Sequence, residues 1–201
     1  MFRGVRLTTE ATDNLIERLR GRDEPTILAI VEEHARPLYR AARGMGFRDH
    51  EAEDLAQEVL TTFIQTLDRF EGRSQVKTWL FGILHHKVHE RRRALGRESM
   101  TDSIDDTFES RFDADGNWVR PPIDLERLVA SKQIGQAIRG CVETLPDSQR
   151  EVFVLRELEE LDTQEICKIL GRTVTHVGVL FHRARARLRE CLEAQGWKRP
   201  A

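Results

Sequence analysis

The stretch DTQEICKILGRTVTHVGVLFHRARARLRECL, residues 162–192, decides the fold. It reads as two helices, residues 163–170 and 174–192, joined by a short turn. In a helix-turn-helix the first helix needs a small residue where the second crosses it. The turn needs a residue tolerant of positive φ, and the second helix needs an apolar anchor. Cys167, Gly171 and Val177 occupy those places. The second helix then turns Val174, Val177, Phe181, Ala184 and Leu188 inward and offers Thr175, His176, Gly178, Val179, His182 and Arg183 to a major groove. Arg185, Arg187 and Arg189 follow as candidate phosphate contacts. The bland alternative is a pair of bundle helices with a solvated arginine face, and the combination of small residue, glycine and apolar anchor weighs against it.

The 201 residues are 39% hydrophobic but only 6% aromatic, with 33% charged residues and 6 prolines, which favours amphipathic helices over sheet. The expectation is an all-α protein of two small helical domains joined by an acidic linker. A formal net charge of -2 gives no global sign of a nucleic-acid partner, so any such partner must meet locally segregated basic surface. Cys141, Cys167 and Cys191 are an odd count with no close pair, so neither a disulfide framework nor a zinc knuckle is expected. They read as small core residues in a reducing, cytoplasmic setting. No signal peptide and no apolar run of membrane-spanning length is read, so no direct membrane insertion is expected.

Residues 1–26 form a polar leader, possible as a helix with Leu15, Ile16 and Leu19 along one face. A first helix is expected over 27–45 and a second over 50–70, the latter with Ala52, Leu55, Val59, Phe63 and Leu67 as its buried stripe. After a turn at 71–74, a third runs over 76–93 and ends in Arg91, Arg92 and Arg93. Residues 27–95 are thus one domain. Residues 96–123 turn acidic with little periodicity, close on Pro121 and Pro122, and read as a linker. Residues 124–196 form the second domain, with helical pattern from 124 past Cys141, then 147–158 and the two helices first quoted.

LPDSQREVFVLR at 145–156, DTQEICKILG at 162–171 and HRARARLR at 182–189 together resemble region 4 of bacterial sigma factors. Independently, EAEDLAQEV at 51–59, DRFEG at 68–72 and KTWLFGI at 77–83 resemble region 2 of the same family. With only these two regions and a short linker, the chain resembles the extracytoplasmic-function group of the sigma-70 class. The resemblance implies a non-catalytic factor without a cofactor, one that binds core RNA polymerase through its β′ clamp helices and β flap. It also implies recognition and melting of promoter DNA, and control by an anti-sigma factor.

Carried onto this chain, the resemblance puts polymerase binding on Glu53, Asp54, Gln57 and Glu58, where charge steering is physically reasonable. A solvated helix face would look the same. Capture of an unstacked base of the −10 element falls to Lys77, Trp79, His86, Lys87, Arg91, Arg92 and Arg93, with residues 72–76 as the rim of a pocket. Trp79 also fits an apolar helical stripe, where aromatics are most often core. Recognition of the −35 element falls to Thr175, His176, His182 and Arg183, backed by Arg185 and Arg187. Relatives often carry arginine and asparagine where this chain has His85 and His86. Gly178, Val179 and Leu180 replace the usual polar residues opposite the anchor, which shifts weight from base edges to shape and phosphate contacts. The acidic linker suits the basic channels of the polymerase.

His85 and His89 lie one helical turn apart and could share an ion. No glutamate stands between them as in metalloproteases, and Glu90 alone does not complete a site, so no metal is expected. The competing functional class is a conventional helix-turn-helix regulator that binds an operator without polymerase. It predicts specific binding by the isolated chain, whereas the sigma reading predicts promoter-specific initiation only with core polymerase.

Overall fold

The computed structural model describes residues 9–96 and 132–197. The acidic stretch and the helix onset expected at 124 lie outside the described residues. Within them the chain is all-helical: α1 (Thr9–Arg20), α2 (Glu24–Gly44), α3 (Asp49–Gln65), α4 (Val76–Ala94), α5 (Lys132–Glu143), α6 (Asp147–Phe153), α7 (Thr163–Leu170) and α8 (Val174–Ala194). A 3-10 turn, Leu67–Arg69, follows α3, and a π-helical turn, Val154–Leu158, continues α6.

The ends of these helices follow from local chemistry. α2 begins earlier than its apolar pattern, because the Asp23 carboxylate accepts from the Thr26 N–H at 3.0 Å and Pro25 occupies the first turn, where its missing N–H costs nothing. α3 stops short of residue 70. The Thr62 and Thr66 hydroxyls donate to the carbonyls of Glu58 and Thr62, each at 2.7 Å, and the chain tightens into the 3-10 turn. α7 opens with a capping box: the Glu165 N–H donates to Asp162 Oδ1 and the Asp162 N–H to Glu165 Oε2, both at 2.8 Å. It closes on Gly171 at φ 61°, a conformation that a side chain resists. Gly171→Ala is expected to lower stability by about 1 kcal/mol; urea denaturation measures it.

α2, α3 and α4 pack on one another, and α6, α7 and α8 form the second group with α5 lying on α8. The buried face of α3 holds the expected Ala52, Leu55, Val59 and Phe63. Leu19 of the leader helix is fully buried, with Leu15 and Ile16 packed beside it, so α1 is an integral part of the core. The main core does not stop at the domain boundary. It runs from these helices into Val152, Val154, Leu155, Leu161, Ile166, Ile169, Val177 and Leu180. A second, smaller cluster joins Cys141, Val142, Leu145, Phe153, Ala184, Leu188 and Leu192.

The two groups meet closely. α4 packs on α7, and α2 packs on the π-helical turn. Gly44 permits that second approach, since a Cβ there would lie 2.9 Å from Val154 Cγ2.

Three expectations need correction. Cys141 and Cys191 form a disulfide across a sequence separation of 50, because α5 lies along α8 and brings their Cα atoms to 5.8 Å. Spacing in the chain could not show that pairing; Cys167 alone is a free thiol. Val174 is 50% exposed rather than inward, being the first residue of α8. Leu180 is 3% exposed, so it belongs to the core and not to the groove-facing side.

Candidate nucleic-acid interface

α8 is positioned by its buried face, Val177, Leu180, Ala184 and Leu188. Its entry is fixed by Thr173, whose hydroxyl accepts from the His176 N–H at 3.3 Å. At roughly 100° per residue, Thr175, His176, Val179, His182 and Arg183 fall within about a third of the circumference, opposite the anchor Val177. Thr175, His176 and His182 are exposed, and Arg183 is half-buried. Burial, and then the charge of Arg185, hold the His182 imidazole below its usual pKa, which favours the neutral ring. A neutral imidazole keeps an acceptor nitrogen as well as a donor. Arg185 and Arg187 leave this face by opposite flanks. The Arg185 guanidinium lies 5.6 Å from the Phe181 ring centroid, a cation–π arrangement that holds it to the side of the helix.

The residues expected to serve the −10 element are gathered on α4 but differ in availability. His86 and Arg93 are exposed. Lys87 Nζ lies 3.5 Å from Glu90 and 4.0 Å from Glu58, and Arg91 also pairs with Glu58. Trp79 is held by aromatic neighbours, its ring 5.0 Å from Phe70 in a stacked arrangement and 5.4 Å from Phe63 edge to face. Its core role is thereby visible, and its half-buried indole is not a free stacking platform.

Two further residues are committed to the other domain. Lys77 Nζ donates to the Glu159 carbonyl. Arg92, 5% exposed, donates to the Met45 carbonyl at 2.9 Å and lies 3.3 Å from Asp147 Oδ1. The expectation that Arg92 is a surface cation is therefore corrected for this arrangement: the last turn of α4 tucks beneath the start of α6. Thr78 adds a hydrogen bond to Glu165 Oε1 at 2.8 Å.

On α3, Glu53, Asp54 and Gln57 are exposed, while Glu58 is half-buried by its pairs with Lys87 and Arg91. Asp54, Gln57, Glu58, Thr61, Thr62 and Lys87 line a shallow groove between α3 and α4. The four residues expected to meet polymerase thus lie along one ridge.

Two buried carboxylates between the domains escaped the sequence reading. Burial pushes the Glu159 carboxyl up to about 7, against the attraction of Arg40 and Lys77. Its nearest partner is Arg40 Nη2 at 3.5 Å. Glu151 goes the other way. Burial raises it, but hydrogen bonds from His85 at 2.7 Å and His89 at 3.4 Å, with their attraction, outweigh that and leave it at about 2. Neither carboxylate has a sequence signal, since their partners lie 62 to 119 positions away.

Family models for sigma-70 region 2 and sigma-70 region 4 match residues 30–98 and 135–188. A probable RNA polymerase sigma factor of Haemophilus influenzae is 34% identical over 149 residues, covering 70% of this chain and 76% of that one. The extracytoplasmic-function (ECF) RNA polymerase sigma factor SigW of Bacillus subtilis is 30% identical over 188 residues, covering 88% and 94%. Among solved structures, the sigma factor RpoE of Bartonella quintana, in complex with the anti-sigma factor NepR, superposes with a TM-score of 0.61 at 25% identity. It covers 86% of this chain and 98% of that one.

Proposed function

From the premise that this chain belongs to the extracytoplasmic-function group of the sigma-70 family and directs RNA polymerase to promoters, we propose how its parts divide that work. Residues 27–95 act as region 2 and residues 124–196 as region 4, with residues 96–123 as the acidic tether between them. Glu53, Asp54, Gln57 and Glu58 dock on the β′ clamp helices of core polymerase, and the second domain reaches its β flap. His86, Lys87, Arg91 and Arg93, with Lys77 and Arg92 once released, hold the melted −10 strand against the rim at 72–76. Thr175, His176 and His182 enter the major groove of the −35 element, with Arg183 and Arg187 against its phosphates.

The observation that carries this reading is the exposed first half of α8, presented by a glycine-turned helix pair beside Arg185 and Arg187, Arg189 being buried. The chain is not itself an enzyme; phosphodiester chemistry belongs to the polymerase. No helix among the described residues is long and apolar enough to cross a membrane. The place of action we infer is the compartment that holds polymerase and DNA, the cytoplasm. An anti-sigma partner follows from the likeness to a factor solved with one.

Reconstitution tests the reading. Core polymerase plus this chain is expected to open promoters drawn from a random library and yield run-off transcripts, whereas the isolated chain binds no unique site. Transcription indistinguishable from core alone would overturn it.

Since Lys77 and Arg92 are engaged across the domains, promoter melting requires the two domains to part. That opening is expected to depend on pH through Glu159. Its carboxyl titrates near 7 when closed and returns towards the ordinary 4.5 when hydrated, so the closed form holds the extra proton. Closure therefore weakens as pH rises from 4.5 to 7, by up to about 1.4 kcal/mol per pH unit, and levels off above. Small-angle scattering at pH 6 and pH 8 is expected to show the more compact particle at the lower pH. Glu159→Gln is expected to remove Glu159's share of that difference.

A further inference from the structure

Among the described residues, outside the nucleic-acid surfaces, one cluster of side chains able to ligate a metal remains without a role. His85 and His89 stand one turn apart on α4, and Glu151 of α6 reaches them from the other domain. Their ligand atoms all lie within 4.8 Å of one another. We propose that His85 Nδ1, His89 Nε2 and Glu151 bind a divalent ion of the zinc type that clasps the two domains together.

Three observations support the site. First, the donor set is two imidazoles and one carboxylate, which suits zinc and its neighbours in the transition series and not magnesium or calcium. Second, the three ligand atoms, all within 4.8 Å of one another, have only to draw together to hold one ion. Ligand atoms about 2.0–2.1 Å from a tetrahedral zinc stand about 3.3 Å apart. Here His85 Nδ1 and Glu151 Oε1 are 2.7 Å apart, and His89 Nε2 and Glu151 Oε2 are 3.4 Å apart. Third, burial is graded across the cluster. The Glu151 side chain is 4% exposed, the His85 side chain 17% and the His89 side chain 41%. The carboxylate is therefore fixed and desolvated, while the His89 side stays open to let an ion enter and to leave water as the fourth ligand.

A bound ion would replace the hydrogen bonds that the two imidazoles now make to this buried carboxylate, at the point where α4 and α6 meet. Glu90, the carboxylate nearest in sequence, instead lies 3.5 Å from Lys87 and plays no part.

The clasp lies between the same two groups of helices that hold Lys77 and Arg92 in their closed pairings. An ion here stores the factor in its closed form and withholds those cations from DNA. This regulatory consequence rests on the promoter-directing role; the metal site does not.

Cobalt(II) titrated into the full-length, chelator-stripped chain tests the site directly. The expected result is saturation at about one equivalent with the visible absorption of four-coordinate cobalt, bleached by zinc. His89→Gln, a change at a partly exposed side chain, and Glu151→Gln are each expected to weaken binding on the order of 100-fold. Glu90→Gln is expected to bind as the parent does. Absence of saturable binding, or binding that survives both His89→Gln and Glu151→Gln, overturns the site; His89→Gln keeps the test decisive if Glu151→Gln does not fold.

A second arm reads run-off transcription with and without zinc. Inhibition of the parent but not of His89→Gln supports the clasp as a brake. Equal inhibition of both overturns the brake. A cobalt site in a chain that fails to transcribe at all would count against the promoter role and leave the metal site standing.

Discussion

Replacing Arg183 and Arg187 together by alanine is expected to weaken holoenzyme binding to a −35 element roughly 30-fold near 0.15 M salt. The number follows from counterion release. Each phosphate contact contributes about 0.9 to the slope of log affinity against log salt, so two contacts remove about 1.8 from it. The structure adds a discriminating detail. Arg185 lies against the Phe181 ring on the opposite flank of α8, so adding Arg185→Ala is expected to leave the slope near the double variant's value. A further fall of about 0.9 would show that Arg185 leaves its aromatic neighbour for the backbone. Thr175→Ala and His176→Ala act differently. They are expected to change promoter preference with little change in salt slope, because base-edge contacts specify while phosphate contacts position. Filter binding over a salt series with a small promoter panel separates the two classes.

Reduction of Cys141–Cys191 is expected to be the largest single loss of stability. A cross-link spanning 50 positions removes chain entropy from the unfolded state equivalent to about 4 kcal/mol, an upper figure if the reduced chain retains structure. In a chain of this size that corresponds to a fall in Tm of about 10 °C. Its weight comes from what surrounds it. The cluster under α5 consists of Cys141, Val142, Leu145, Phe153, Ala184, Leu188 and Leu192, a small core of the kind that gains most from a staple. Calorimetry with and without reductant, beside the Cys141→Ser/Cys191→Ser double variant, is the measurement. A change of less than 2 °C in both would mean that packing alone holds α5 on α8. A disulfide is unusual in a reducing compartment, so the same experiment measures what this domain loses when its thiols are kept reduced.

Features of the fold show in the sequence according to the distance between their partners. The helix-turn-helix could be read because each requirement is local. Asp162 caps Glu165 three positions on, Gly171 supplies a positive φ by itself, and Val177 sits on the apolar phase of its own helix. The stripe of α3 was readable for the same reason. Leu180 misled because its burial depends on a core continuing from α2–α4 into α7 and α8, which no single helix displays. Cys141 and Cys191 misled because helix packing, not spacing, brings them together. His85 and His89 showed half of a metal site, and the missing half arrives from α6. The charged residues of α4 lie on a helix, as their pattern predicts, yet Lys77 and Arg92 face the other domain.

The π-helical turn Val154–Leu158 has a consequence of its own. Where an α-helix would pair each N–H with the carbonyl four residues back, the Glu159 N–H reaches the Val154 carbonyl, five back, at 3.1 Å. Such a turn holds one residue more than the α-helical pitch and shifts everything after it by roughly 100° in phase. Deleting Glu157 from the turn would restore the pitch, swing Glu159 away from Arg40 and Lys77 and rotate the entry to α7, with Val154 and Leu155 of the shared core still present. The closed form is thus recorded partly as a length of chain, and a one-codon deletion can unlock it where no substitution is needed.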